Sequence, residues 1–200
     1  MPNWCNNSIT IKGSTETIKQ LWEDATADDG SGDNRERGLL SAMVPQPANM
    51  FQGSLGTKER QECAEQGIPN WYDWNVSNWG TKWDVSTEGL EFTDNGDGTA
   101  EITGWFDSAW SPPIDAYSTF CDDMDGVYLE AYYEESGMCF VGYWDSEGAD
   151  DHYEYDGATS DTIRNMIPEY LVDHFALDER LDEWEQMEAE EEVDLTPTGL

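Results

Sequence analysis

Apolar and polar positions alternate first in NWCNNSITIKG, where Ile9 and Ile11 are set against Ser8, Thr10 and Lys12. That period of two predicts a half-buried strand. STETIKQLWEDA then changes period. Ile18, Leu21 and Trp22 share one helical face, and Ser14 stands where an N-cap is expected. DDGSGDNRERG is a loop by composition. LLSAMVPQPANM runs into a Pro-rich turn, and TKERQECAEQG suits a short helix closed by Gly67. KWDVSTEGLEF and TAEITGWFDSAW flank DNGDG and predict a hairpin. SPPIDAYSTFCDD predicts a helix, with Ser111 as cap and Pro112 and Pro113 at its start. GVYLEAYYEE and MCFVGYWD predict a second hairpin around ESG.

The resulting order is strand, helix, irregular region, strand, strand, helix, strand, strand. A strand–helix–strand–strand–helix–strand order is the ferredoxin-like plan, an α+β fold with one antiparallel sheet and helices on one face. The last strand would be an extra edge. Past residue 160 the pattern becomes helical. Tyr170, Leu171, Phe175, Leu181 and Trp184 recur at three- and four-residue steps, Ser160 is a candidate cap, and Pro168 should kink or divide the helix. The expected organisation is a ferredoxin-like domain over residues 1–150 and an acidic helical extension over residues 151–200.

Charge adds what periodicity cannot. Forty-four acids face nine bases, a net charge of −35 over 200 residues. Such a surface repels phosphates and anionic membranes, which argues against direct nucleic-acid binding. It attracts basic surfaces at long range. A solubilising or salt-adapted surface would have the same composition. No signal peptide is expected in MPNWCNNSITIKG, and no stretch approaches the roughly 20 apolar residues of a membrane span. Cys5, Cys63, Cys121 and Cys139 are scattered without paired spacing, so reduced thiols in a cytoplasmic protein are expected, with no zinc site.

WYDWNVSNWGTKWD holds four of the ten tryptophans. Its rings could form a stacking platform. The alternative is a core segment in an irregular bend, in which Gly80 makes a tight turn, Asp73, Asn75 and Asn78 satisfy backbone groups, and Lys82 pairs with an acid. The core is the preferred reading, with Trp79, Trp83 and Trp110 left as a candidate aromatic pocket.

PNWCNN, WYDWNVSNWGTKWD, AWSPP and YYEESGMCFVG together resemble the YubB ferredoxin-like domain family of bacteriophages and conjugative plasmids, over roughly residues 1–145. The resemblance implies a ferredoxin-like fold and a mobile-element origin, and brings no catalytic residues with it. Nor do the residues supply a catalytic signature of their own. His152 lies in an acidic stretch read as a loop, His174 reads as a core-edge residue, and no GxSxG, HExxH or Cys–His pattern is present. DNGDGTAEITGW is not an EF-hand: its acids miss the alternate ligand positions.

The strongest candidate is the C-terminal helix. Asp178, Glu179, Asp182, Glu183, Glu185, Glu188, Glu190, Glu191 and Glu192 are opposed there by Arg180. Repulsion disfavours so dense a line, and a basic partner would offset it. The sequence therefore predicts a non-enzymatic binding protein without metal or cofactor, acting in the host cytoplasm. Its partner would be a basic host protein of the restriction, CRISPR or nucleoid kind, inhibited by DNA mimicry. The alternative is a salt-adapted structural or ligand-binding domain. Leu177, Leu181 and Trp184 are free to pack on the domain or on a second copy.

Overall fold

The computed structural model describes residues 3–32 and 35–194, with side chains to residue 190. Six antiparallel strands form one sheet: β1 (Trp4–Ser14), β2 (Leu90–Asp94), β3 (Thr99–Ala109), β4 (Tyr128–Glu135), β5 (Phe140–Asp145) and β6 (Asp150–Glu154). They lie in the order β2-β3-β1-β4-β5-β6. β1 is central, pairing Trp4 with Ala109 through to Ser14 with Thr99 on one side, and Asn6 with Glu134 through to Lys12 with Tyr128 on the other. Its alternation buries Cys5, Asn7, Ile9 and Ile11 together. With α1 (Thr15–Thr26) after β1 and α5 (Ile114–Asp123) after β3, the first four strands make the ferredoxin-like plan.

Local chemistry places these helices. Ser14 Oγ accepts from the Thr17 amide at 3.1 Å, the expected cap of α1, and Ile18, Leu21 and Ala25 turn to the sheet. Ser111 is not the cap of α5. Its hydroxyl donates to Gly80 O at 2.5 Å, and Pro113 occupies the N-cap position with no side-chain bond. The hydroxyl thus joins the end of one helix to the start of another, a contact set by tertiary approach.

Between α1 and β2 lie α2 (Leu39–Met43), α3 (Thr57–Gln66) and α4 (Trp71–Trp79). Leu39, Leu40, Met43 and Trp79 join the same core as Ile18 and Phe120. α2 is held from a distance. The Asp84 carboxylate accepts from the Leu40 and Ser41 amides at 2.8 and 3.0 Å, while burial pushes its pKa up. Gly38 lies at φ 96°, where a Cβ would sit 2.5 Å from the Asp84 carboxyl carbon, so only glycine fits this approach.

The chain after β5 departs most from expectation. His152 is in β6 rather than in a loop. β6 pairs with β5, and its first residue, Asp150, stands at the expected domain boundary. The helical extension is three helices: α6 (Ile163–Met166), α7 (Glu169–Phe175) and α8 (Leu177–Asp194). Pro168 separates the first two, as its missing N–H requires. Ala176, at φ 49°, separates the last two, a break with no glycine or proline to announce it. Ser160 caps no helix; its amide and hydroxyl both bond the Glu185 carboxylate, at 2.8 and 2.9 Å.

α1 and α5 share one face of the sheet. The extension covers the other, because alternate residues of β4 and β5 point oppositely. Ala131 and Trp144 pack toward α1 and α5, whereas Tyr132, Val141 and Tyr143 pack with Ile163, Leu171, Val172 and Phe175.

Candidate functional site

α8 begins inside the second core and ends outside it. Leu177, Leu181, Trp184 and Met187 follow one another at four- and three-residue steps and form one apolar stripe. Leu177 is buried and Leu181 half-buried, packed with Tyr155 and Val141. Trp184 and Met187 are each 57% exposed. The stripe outruns the surface that would cover it.

The acids of α8 divide in the same way. Asp178 takes Arg164 Nε at 2.9 Å and a terminal guanidinium nitrogen at 2.7 Å, which holds its carboxyl below the usual range. Arg164 also reaches Asp173 at 2.9 Å. Glu185 is engaged by Ser160. Glu179, Asp182, Glu183, Glu188 and Glu190 are exposed. Glu179, Asp182, Glu183 and Glu190 stand at relative positions 0, 3, 4 and 11, which places them on one face of the helix. Glu191 and Glu192 lie within α8, with side chains outside the described residues.

Beside the apolar stripe runs a groove of about 570 Å³, walled on its far side by Ser136, Gly137 and Cys139 of the β4–β5 turn. Its floor is anchored by a buried carboxylate. Glu134, 3% exposed, accepts from Tyr155 OH at 2.5 Å and from Arg180 at 3.1 Å. Burial, and then Glu134, raises the Tyr155 pKa. Burial and nearby acids raise the Cys139 thiol as well.

The candidate aromatic pocket does not assemble as expected. The Trp-rich segment is not an irregular bend: residues 71–79 form α4, capped by Asn70 and closed by Gly80 at φ 81°. Trp79 is 1% exposed, and its Nε1 donates to Val44 O at 3.0 Å. It is a core residue, as the preferred reading had it. Asn75 and Asn78 do satisfy backbone groups, donating to Lys82 O and Trp74 O at 2.9 and 2.8 Å. Trp83 and Trp110 come together elsewhere, around Lys82. The ammonium lies 4.3 Å from the Trp83 ring, 5.0 Å from Trp110 and 5.9 Å from Tyr72. Lys82 therefore faces rings instead of the expected acid, a cation–π arrangement.

A separate cleft of about 410 Å³ involves two tryptophans that the sequence reading left aside. Trp4 and Trp83 approach to 5.9 Å between centroids, and Trp105 completes the aromatic lining beside Asp84, Glu88 and Asp107. Strand alternation was the available signal: Trp105 must point opposite to buried Phe106.

His152 Nδ1 lies 3.2 Å from Tyr133 OH. His174 is stacked between Tyr132 at 3.9 Å and Trp105 at 5.2 Å, and burial lowers its pKa. Neither adjoins a nucleophile–base–orienter arrangement. Among the described residues no group of three or more His, Cys, Asp or Glu could hold a metal ion, and no helix is long and apolar enough to cross a membrane.

No curated protein matches the chain. A crystal structure of a protein api92 from Yersinia pseudotuberculosis aligns with a TM-score of 0.39 at 10% identity, covering 79% of this chain and 99% of that one. The family described as the ferredoxin-like domain in Api92-like protein matches residues 78–194, from the end of α4 through the whole of α8. With more than half its length matched, the chain belongs to the family of ferredoxin-like domains of Api92-like proteins.

Proposed function

We propose that this is a non-catalytic acidic binding protein of phage or plasmid origin that acts in the host cytoplasm. Its α8 carboxylates occupy the basic groove of a host nucleic-acid-handling or defence protein and exclude DNA or RNA. The observation that carries this reading is the set of exposed carboxylates on α8. Glu179, Asp182, Glu183, Glu188 and Glu190 are exposed, while Arg164 and the helix's own Arg180 are tied to Asp178 and Glu134. These five acids span about 16 Å at 1.5 Å per residue. Duplex DNA carries about one charge per 1.7 Å of axis, so α8 alone offers about half that density. The net charge of −35 and the likeness of the PNWCNN and AWSPP segments to the YubB family support the same reading.

The test is capture from host lysate at low salt, with duplex DNA as competitor. The full chain is compared with a variant in which those five acids are replaced by Gln or Asn. Captured proteins that bind DNA, are displaced by it, and are lost on neutralisation support the reading. Capture that survives neutralisation, or that tolerates DNA on the same protein, sinks it. Affinity should also fall steeply with salt.

A second reading rests on the Trp4–Trp83 cleft: a salt-adapted domain that binds a small aromatic or cationic ligand there. Folding against salt separates the two. A salt-adapted protein loses structure at low salt, whereas the mimic stays folded.

A further inference from the structure

We propose that the groove between α8 and the β4–β5 turn seats an amphipathic cationic helix of the partner, whose apolar side chains pack on Trp184 and Met187. The proposal rests on the acidic-binding reading of α8 and specifies its partner.

The stripe on α8 is the first reason. Leu177 and Leu181 find cover on Tyr155 and Val141, and the next two positions of the same stripe do not. Met138, in the turn that forms the opposite wall, is 66% exposed. Three large apolar side chains left in water, two of them on the most acidic helix of the chain, mark an interaction site better than a solvated surface. Tryptophan dominates the centres of interfaces, and unbranched methionine adapts to irregular partners.

Charge selects the occupant. Glu183 lines the groove, and Glu188 follows Trp184 by one helical turn. Arg180 also lines it, but that guanidinium is held by the buried Glu134 carboxylate at 3.1 Å. A second copy of the chain would set this acidic rim against another, and facing like charges oppose that pairing. A cationic segment meets the rim favourably. A helix with apolar anchors at i, i+3 or i+4, and i+7 fits a groove of this kind. Its basic face would then lie toward Glu183 and Glu188 at the rim of the groove.

The probes are two labelled synthetic peptides of equal positive charge, an amphipathic Lys/Leu helix and an oligolysine. Both are titrated by fluorescence anisotropy into the full chain, Trp184→Ala, Met187→Ala and the five-acid neutralised variant. Expected is an amphipathic peptide that binds about tenfold tighter than oligolysine. Trp184→Ala and Met187→Ala should erase that preference without altering oligolysine affinity, and neutralisation should weaken both peptides. Equal binding of the two peptides, or a preference that survives Trp184→Ala, overturns the groove and leaves the acidic reading standing. Absence of binding by either peptide overturns both. Sedimentation of a dimer that dissociates on Trp184→Ala overturns the cationic occupant in favour of a second copy.

Discussion

α4 and α8 both mix large rings with polar groups, and they do opposite things with them. In α4 the polar groups serve the rings' packing. Asn75 and Asn78 bond backbone carbonyls and Trp79 Nε1 finds Val44 O, while just past the helix the Lys82 ammonium lies over the Trp83 and Trp110 rings. Trp79, at the end of α4, is buried in the core. In α8 only the first two turns are covered; beyond Leu181 the same apolar stripe continues into solvent with a carboxylate rim. Ring density along the chain is therefore a poor guide to a binding surface. The better guide is the length of an apolar stripe relative to the surface available to receive it.

The comparison breaks most visibly at its tryptophans. Trp79→Ala should cost about 3–5 kcal/mol, because it empties a buried site and orphans the Val44 carbonyl. Trp184→Ala should change stability by less than about 0.5 kcal/mol. Urea unfolding of the two variants measures both, and similar losses would mean that Trp184 is covered in solution. Arg180→Met comes next. It leaves Glu134 buried with Tyr155 alone, and with Arg180 itself nearly half exposed the expected loss is about 1–2 kcal/mol. Arg180→Met combined with Glu134→Gln should recover most of that loss; failure to recover would deny the pairing its role in holding α8.

The smallest effect is a pH dependence on the face that α7 covers. Burial between Tyr132 and Trp105 lowers the His174 pKa, so the unfolded chain takes up the proton at higher pH than the folded one. The contribution of His174 is then fully present above its ordinary value of about 6.5. It is lost progressively as pH falls below that value toward the folded pKa. Relief of repulsion among the acids runs the other way, so the readout is the difference between the native chain and His174→Phe from about pH 7.5 to about pH 5. Identical slopes in the two proteins would deny His174 this role.

Period and punctuation made much of the fold legible. Ile9 and Ile11 mark β1, Ser14 caps α1, Gly67 closes α3, and DNGDG turns β2 into β3, each through contacts within a few residues. Misreadings came where a local signal had a distant competitor. Ser111 and Ser160 look like caps, but Gly80 O and the Glu185 carboxylate take their hydroxyls across 31 and 25 positions. β6 was hidden because DDHYE owes its strand form to pairing with β5 rather than to its own weak alternation.

What the sequence determined by itself is what short-range physics decides: the ferredoxin-like order of elements, the division at Pro168, the acidic line of α8 and the net charge of −35. Tertiary structure alone decided which of those charges are engaged from elsewhere in the chain. Arg164 and Ser160 engage Asp178 and Glu185, and nothing in their spacing along the chain announces it. Tertiary structure also decided that Trp79 is core, that Trp83 and Trp110 meet around Lys82, and that Trp184 and Met187 have no cover. The reason is physical. Periodicity states which side of a helix is apolar, whereas burial depends on how far the opposing surface extends, and that surface is assembled from residues far away in the chain.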